Sequence, residues 1–245
     1  KLFHAAALHK AAEAVRPGFG LQGAAELDFG ALAANVRDYV RSLNFQYRNA
    51  LRAAGVSYFN ELAVFAGPNE LLAGRGPPGP AGEPPEGGYA RVEFGTAVVA
   101  VGGRPRALEL PGAEHVLTSD DVFFLERLPA RTVVIGGGYI AHECASYLAK
   151  LGSRVTVATR GQFLQAFDRQ AADVVLGQMR AQGVEFVPRA RPVAVRIAAD
   201  GLEVELACAD GPRVLAGADL VLTAVSRQAF CSRRQFVNSA GDRKS

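Results

Sequence analysis

The chain has 245 residues, 49% of them hydrophobic, which is enough for one good core or two modest ones and too apolar for disorder throughout. Its 27 basic against 24 acidic residues leave a net charge of only +3, scattered apart from Arg233, Arg234, Arg243 and Lys244, which argues against nucleic acid as a partner. No apolar run approaches a membrane span, and the three cysteines, Cys144, Cys208 and Cys231, form no Cys-x-x-Cys pair, a pattern that suits a reducing compartment and a cytoplasmic location.

Leu2, Phe3 and Leu8 recur among alanines at helical spacing, and Pro17-Gly18 ends that pattern, so the chain opens on the end of a helix. Asp28 is placed to cap a second helix from about Phe29 to Ala54. Its apolar stripe runs through Leu32, Val36, Tyr39, Val40, Leu43, Tyr47 and Leu51 to a stop at Gly55. Val56 to Ala66, Tyr89 to Phe94 and Thr96 to Val101 read as strands. Between the first two, Gly74 to Gly88 briefly spaces glycines by three, but Pro85 breaks the repeat and the run is too short for a triple helix, which leaves a mobile hairpin loop.

From Pro111 to Arg227 the pattern becomes that of a complete α/β nucleotide-binding domain. Strands are predicted at Thr132–Ile135, Arg154–Val157, Val184–Val187 and Leu220–Ala224, with helices after the first two. Asp168 is placed to cap the second of these helices and Gly183 to end it. An antiparallel pair, Pro192–Ile197 and Leu202–Cys208, is turned by Asp200-Gly201. Asp120 and Asp121 suit a helix N-terminus, where a carboxylate stabilises free N–H groups. The expected result is a Rossmann-like, doubly wound sheet with a meander appended.

The run Thr132-Val-Val-Ile135-Gly136-Gly-Gly138-Tyr139-Ile140-Ala141-His142-Glu143-Cys144 joins the first strand to its helix through glycines at nucleotide-binding spacing. Gly136 allows the tight turn, Gly138 lets backbone approach a pyrophosphate, and the small Ala141 lets helix and strand pack closely. A diphosphate would then meet the helix N-terminus. Ile140, Cys144 and Leu148, with Ala141 and Ala145 beside them, form the inner helix face, and Gly152 stands where a C-terminal glycine belongs. The alternative is a structural turn. At the end of the second strand the chain reads Ala158-Thr159-Arg160-Gly161, with no carboxylate for ribose hydroxyls, so Arg160 points to the 2′-phosphate of NADP. The plainer reading of Arg160 is a solvated arginine at a strand end.

Other chemistry finds no support. His142-Glu143 opens a zinc-like motif that fails at Ser146, and His4, His9 and His115 are isolated, so neither a metal site nor a hydrolytic nucleophile is assigned.

Several motifs in the same order resemble one family. The glycine turn and Ala166-Phe167-Asp168 resemble the pyridine nucleotide-disulfide oxidoreductases. Ser42-Leu43-Asn44-Phe45-Gln46-Tyr47-Arg48, Phe65-Ala66-Gly67-Pro68, Val101-Gly102-Gly103-Arg104-Pro105-Arg106 and Thr118-Ser119-Asp120-Asp121 look most like the large, animal-type thioredoxin reductases and thioredoxin-glutathione reductases. The resemblance is collinear from Lys1 to about Arg227. It implies residues 1–110 as part of an FAD-binding domain, 111–227 as the NAD(P)-binding domain, and 228–245 as an unrelated tail expected to be disordered on its own.

The resemblance further implies hydride transfer from NADPH to FAD and electron transfer on to a redox disulfide, with a thioredoxin-like or glutathione disulfide as substrate and a homodimer as the assembly. Tyr139 would resemble the aromatic gate over the nicotinamide, and Glu143 the acid that orients it. Arg106, Arg160 and Arg227 would lie near the NADP phosphates, and Gln165 replaces an arginine often found there. The backbone of Leu62 and Ala63 would touch the FAD adenine, and Val101 replaces a threonine near the flavin. The family's Cys-x4-Cys pair, its dimer domain and its closing flavin motif have no counterpart in the sequence, so tightly bound FAD and catalysis are not expected of these residues alone. The second reading is therefore a non-catalytic NADP(H)-binding module, a fragment or truncated isoform. A third, an NADH-dependent flavoprotein of the lipoamide dehydrogenase or ferredoxin reductase kind, would prefer an acid near Arg160.

Overall fold

The computed structural model describes residues 2, 4–8, 27–75 and 88–229. The expected helix end at Pro17, the centre of the glycine-proline loop, His9, Cys231 and nearly all of the tail lie outside the described residues. The chain divides into two units. One holds the residues up to Arg41 together with Pro105–Arg227, and the other holds Ser42–Arg104 with the chain beyond Arg227.

Helix α1, Phe29–Ala53, begins as expected: the Ala31 N–H donates to Asp28 Oδ1 at 2.9 Å, and Gly55 follows the helix at φ 70°. Its apolar stripe is another matter. Only Ala33 and Val36 are buried, whereas Tyr47 is 64% exposed, so the stripe is covered over its first turns and not along its length.

In the second unit, β1 (Leu62–Gly67), β2 (Glu70–Gly74) and β3 (Ala90–Glu93) form an antiparallel sheet in chain order. Phe65 and Phe94 meet edge-on at 5.9 Å. Two expectations are corrected here. Residues 56–61 precede the strand rather than belong to it, and Thr96–Val101 forms no strand. Apolar alternation makes a strand only where a partner supplies the ladder. Residues 96–101 pair with no strand among the described residues, and Val98 is 90% exposed.

The first unit continues with β4 (Leu117–Thr118), β5 (Arg131–Ile135), α2 (Tyr139–Leu151), β6 (Arg154–Ala158), α3 (Arg169–Ala181) and β7 (Glu185–Val187). Then come the long strands β8 (Ala190–Ala198), β9 (Gly201–Cys208) and β10 (Gly211–Ala218), and finally β11 (Leu220–Thr223). One sheet runs β4-β11-β5-β6-β7, every pair parallel, and β8, β9 and β10 make an antiparallel meander. Asp168 caps α3 as expected, its Oδ1 accepting from the Ala171 N–H at 2.9 Å.

The central strands are buried on both faces, which is why they read as unbroken apolar runs. Parity along them sorts the core. Val134, Val157, Leu220 and Leu222 face α2 and α3 through Cys144, Leu148, Leu176 and Met179. Val133, Ile135, Ala158 and Val221 face the meander through Val195, Val204 and Leu206. Both helices thus lie on one face and the meander takes the other, so the sheet is not doubly wound in the expected sense. The third meander strand and β4 were not anticipated, because Pro212, Arg213 and Gly217 interrupt the alternation of the former and the latter is two residues long.

Asp120 and Asp121 stand at a helix N-terminus as expected, Asp120 at the cap and Asp121 in the first turn of a short 3₁₀ helix, Asp121–Phe124, but no side-chain cap bond forms. Instead Asp121 Oδ2 accepts from the Thr118 N–H at 2.7 Å and from Thr118 Oγ1 at 2.6 Å, while Asp120 lies 3.5 Å from Arg227.

Candidate dinucleotide site

Strand β5 stops at Ile135 because Gly136 turns away at φ 147°, its N–H donating to Ala158 O at 2.9 Å. A Cβ on Gly136 would press into the Ala224 carbonyl and lie 3.4 Å from the Ala141 methyl, so the turn, the end of β11 and the first turn of α2 meet at one point. Ala141 is fully buried there, which gives the small third residue its physical reason. Gly137 O accepts from the Leu164 N–H at 2.7 Å. Gly138 caps α2 without a side chain, and a Cβ added to it would meet nothing within 4 Å. Among the described residues the N–H groups of Gly137 and Gly138 donate to no backbone carbonyl. These free donors stand at the positive end of α2, the ordinary physical basis of an anion site.

Beyond the carboxyl ends of β5 and β6 lies a cavity of about 380 Å³, lined by Arg106, Gly136, Gly137, Thr159, Arg160 and Arg191 among others. Open α/β sheets bind ligands at this place. Arg106 is held from two sides: its N–H donates to Ser226 O at 3.0 Å and its guanidinium lies 3.3 Å from Glu109.

The other expected residues fall into separate places. Gly138, Tyr139, Ile140 and Arg227 line a neighbouring cavity of about 310 Å³ beside the end of β11. Tyr139, 54% exposed, also borders a groove of about 370 Å³ between α2 and α3, with Glu143, and meets Phe167 edge-on at 6.4 Å. Leu62, Ala63 and Val101 are exposed and belong to the other unit. The structure therefore brings Arg106, Gly136 and Arg160 together, and sequence reasoning missed Thr159 and Arg191. Only the pairing of the chain after β7 with the chain after β6 reveals the latter.

His142 braces the turn from beneath. Its Nδ1 donates to Gly138 O at 2.8 Å, and its ring stacks on Phe186 at 5.9 Å and meets Phe163 edge-on at 5.7 Å. Burial pushes its pKa down, so the ring stays neutral. Burial likewise pushes the Cys144 thiol up, which keeps it protonated on the inner face of α2. No group of histidine, cysteine and acidic side chains fit to hold a metal occurs among the described residues. No helix among them is long and apolar enough to cross a membrane.

An open α/β sheet with a glycine turn, free N–H donors and arginines at its carboxyl edge has the architecture of the dinucleotide-binding folds. Residues 4–233 match the pyridine nucleotide-disulphide oxidoreductase family, and the chain belongs to it. It is 34% identical over 244 residues to thioredoxin reductase SEP1 of Emiliania huxleyi, covering 98% of this chain and 47% of that protein. It is 37% identical over 207 residues to the mitochondrial thioredoxin reductase 2 of Drosophila melanogaster, covering 82% of this chain and 38% of that one. The chain thus spans about half the length or less of these curated relatives. Its fold is similar to that of the HOCl-induced flavoprotein disulfide reductase RclA of Escherichia coli, with a TM-score of 0.70 at 22% identity over 93% of this chain and 45% of that one.

Proposed function

We propose that this chain binds NADP(H) and serves, in a protein of thioredoxin reductase type, as the module that receives NADPH. The observation that carries the reading is the arginine-lined cavity above the Gly136-Gly137 turn. The residues fit the cofactor: Gly138 leaves open space where backbone would approach a diphosphate, and no acid stands at the end of β6 to repel a 2′-phosphate. Arg160 would grip that phosphate, Arg106 and Arg227 would neutralise charge along the cofactor, and the free N–H groups of Gly137 and Gly138 would take the diphosphate. Tyr139 would cover the nicotinamide and Glu143 would orient it. When bound, the nicotinamide supplies the hydride.

The rest of the reading, FAD as acceptor, a redox disulfide, a thioredoxin-like or glutathione disulfide as substrate and a homodimer, is supported by the likeness to thioredoxin reductases. Leu62, Ala63 and Val101 are proposed as flavin neighbours on that likeness alone and carry no step of the chemistry.

Calorimetric titration tests the cofactor assignment. NADPH should bind about tenfold or more tightly than NADH, as expected for one charge-assisted phosphate contact, and Arg160→Ala should remove most of the preference. Equal affinities in the unaltered chain, or an unchanged preference in the variant, would sink it.

For the 245 residues by themselves we infer binding without turnover. They contain no Cys-x4-Cys pair, and Cys144 is buried with its thiol pushed up, so it offers no thiolate to attack a disulfide. NADPH oxidation with a disulfide dye or thioredoxin should stay at the buffer rate. A flavin-dependent rate well above it would show that the chain works unaided.

A further inference from the structure

We propose that Arg191 is the second arginine of the 2′-phosphate pocket and that it sets NADP over NAD jointly with Arg160, an inference that rests on the NADP(H) reading above. A phosphate monoester carries close to two negative charges and three acceptor oxygens, more than one guanidinium satisfies. Arg106 already has Glu109 at 3.3 Å. Gln165 is neutral, is absent from the cavity lining, and leans its Oε1 towards Gly161. Arg191 is the remaining cation in that lining.

Its position follows from backbone, not from a flexible tail. The Thr159 N–H donates to Val187 O at 3.1 Å, and the Ala190 N–H donates back to Thr159 O at 2.9 Å. These bonds lace the residue before Arg160 to the residue before Arg191, so both side chains start at the same mouth. The turn at Pro188-Arg189, with Arg189 at φ 51°, reverses the chain between β7 and β8. Directly after Arg191 comes Pro192, where the ladder to β9 slips register between Glu205 and Leu206. Such bulges re-aim a side chain at the rim of a site.

The charges themselves point to an anion. Among the described residues neither Arg160 nor Arg191 has an ion pair or a hydrogen bond from its side chain, and no acidic residue other than Glu109 lines the cavity. Two unneutralised guanidinium groups repel each other across one mouth, a cost that a shared dianion reverses. Because Arg160 lies just beyond the end of β6, the strand whose tip faces the ribose in this class of sheet, the shared anion is the ribose phosphate and not the diphosphate.

The test is titration of the full chain with NADPH and NADH, comparing the unaltered sequence with Arg191→Ala, Arg191→Lys, Arg160→Ala and the double change Arg191→Ala/Gln165→Arg. Circular dichroism would confirm folding of each. Arg191→Ala should weaken NADPH by about tenfold or more and leave NADH within about twofold. The lysine variant should recover part of the loss, and Gln165→Arg should rescue it by restoring a guanidinium beside Arg160. Equal affinities of NADPH and NADH for the unaltered chain would overturn the nucleotide reading and this inference with it. A preference that Arg160→Ala abolishes but Arg191→Ala leaves intact would overturn this inference alone.

Discussion

Gly136→Ala should abolish NADPH binding and lower the stability of the chain by about 2–4 kcal/mol. The backbone at Gly136 sits at φ 147°, which side chains with a Cβ rarely adopt, and the added methyl would lie well inside van der Waals contact of the Ala224 carbonyl. That carbonyl has little room to retreat, because the Ala224 N–H donates to Ile135 O at 2.8 Å and so ties β11 to the same turn. Relief therefore means parting β5 from β11 at the rim of the site. Gly138→Ala is the matched control, since its methyl meets nothing within 4 Å. It should melt like the unaltered chain yet bind NADPH more weakly, because the methyl fills the approach to the diphosphate. Thermal unfolding with parallel NADPH titration separates the two. A Gly136→Ala protein with normal melting and normal affinity would overturn the assignment of this turn.

Gly112→Ala should cost a similar amount, about 3 kcal/mol or more, for a purely structural reason. Gly112 is in the left-handed region at φ 82°, and an added Cβ would overlap the carbonyl of Val195 in β8. The contact cannot simply open, for the Val195 N–H donates to Pro111 O at 2.9 Å and the Val195 side chain belongs to the core beneath the meander. Gly211→Ala provides the comparison: its φ is 121° but nothing lies within 4 Å, so it should lose only the conformational part, about 1–2 kcal/mol. Denaturant unfolding of the two variants measures the difference. Equal losses would mean that Val195 yields more easily than its hydrogen bond suggests.

Much of the nucleotide half is legible in the residues because several local signals coincide there. At β5, α2 and β6 an apolar run buried on both faces, a glycine turn, a helix stripe and a closing glycine all point to the same elements. Asp28 and Asp168 predict caps that the hydrogen bonds show. What stays hidden depends on partners distant in sequence. The stripe of α1 is visible in sequence, but not that its cover ends after Val36. Thr96–Val101 has the composition of a strand and lacks an edge to pair with among the described residues. The choice of face for the meander rests on the parity of Val133 and Ile135 against Val134, and in a strand buried on both sides parity leaves no trace in the hydropathy. Arg191 is invisible for the same reason as the meander: the residue before it meets Thr159 only through a backbone bond formed across the sheet.

The order β4-β11-β5-β6-β7 also sets a timetable for the chain as a ribosome makes it. Strand β11 is the last of the five to be synthesised, yet it lies second in the sheet, and β4 has no other partner there. Until Leu220–Thr223 emerges, one long edge of β5 is open, and Val133 and Val134 lack the neighbours Val221 and Leu222 that complete their rows. An exposed apolar edge of this kind invites pairing with another nascent chain. The nucleotide sheet is thus committed late, by its final strand, and a chain halted before Leu220 would carry the glycine turn, the helices and Arg160 without the strand that holds Gly136 in place.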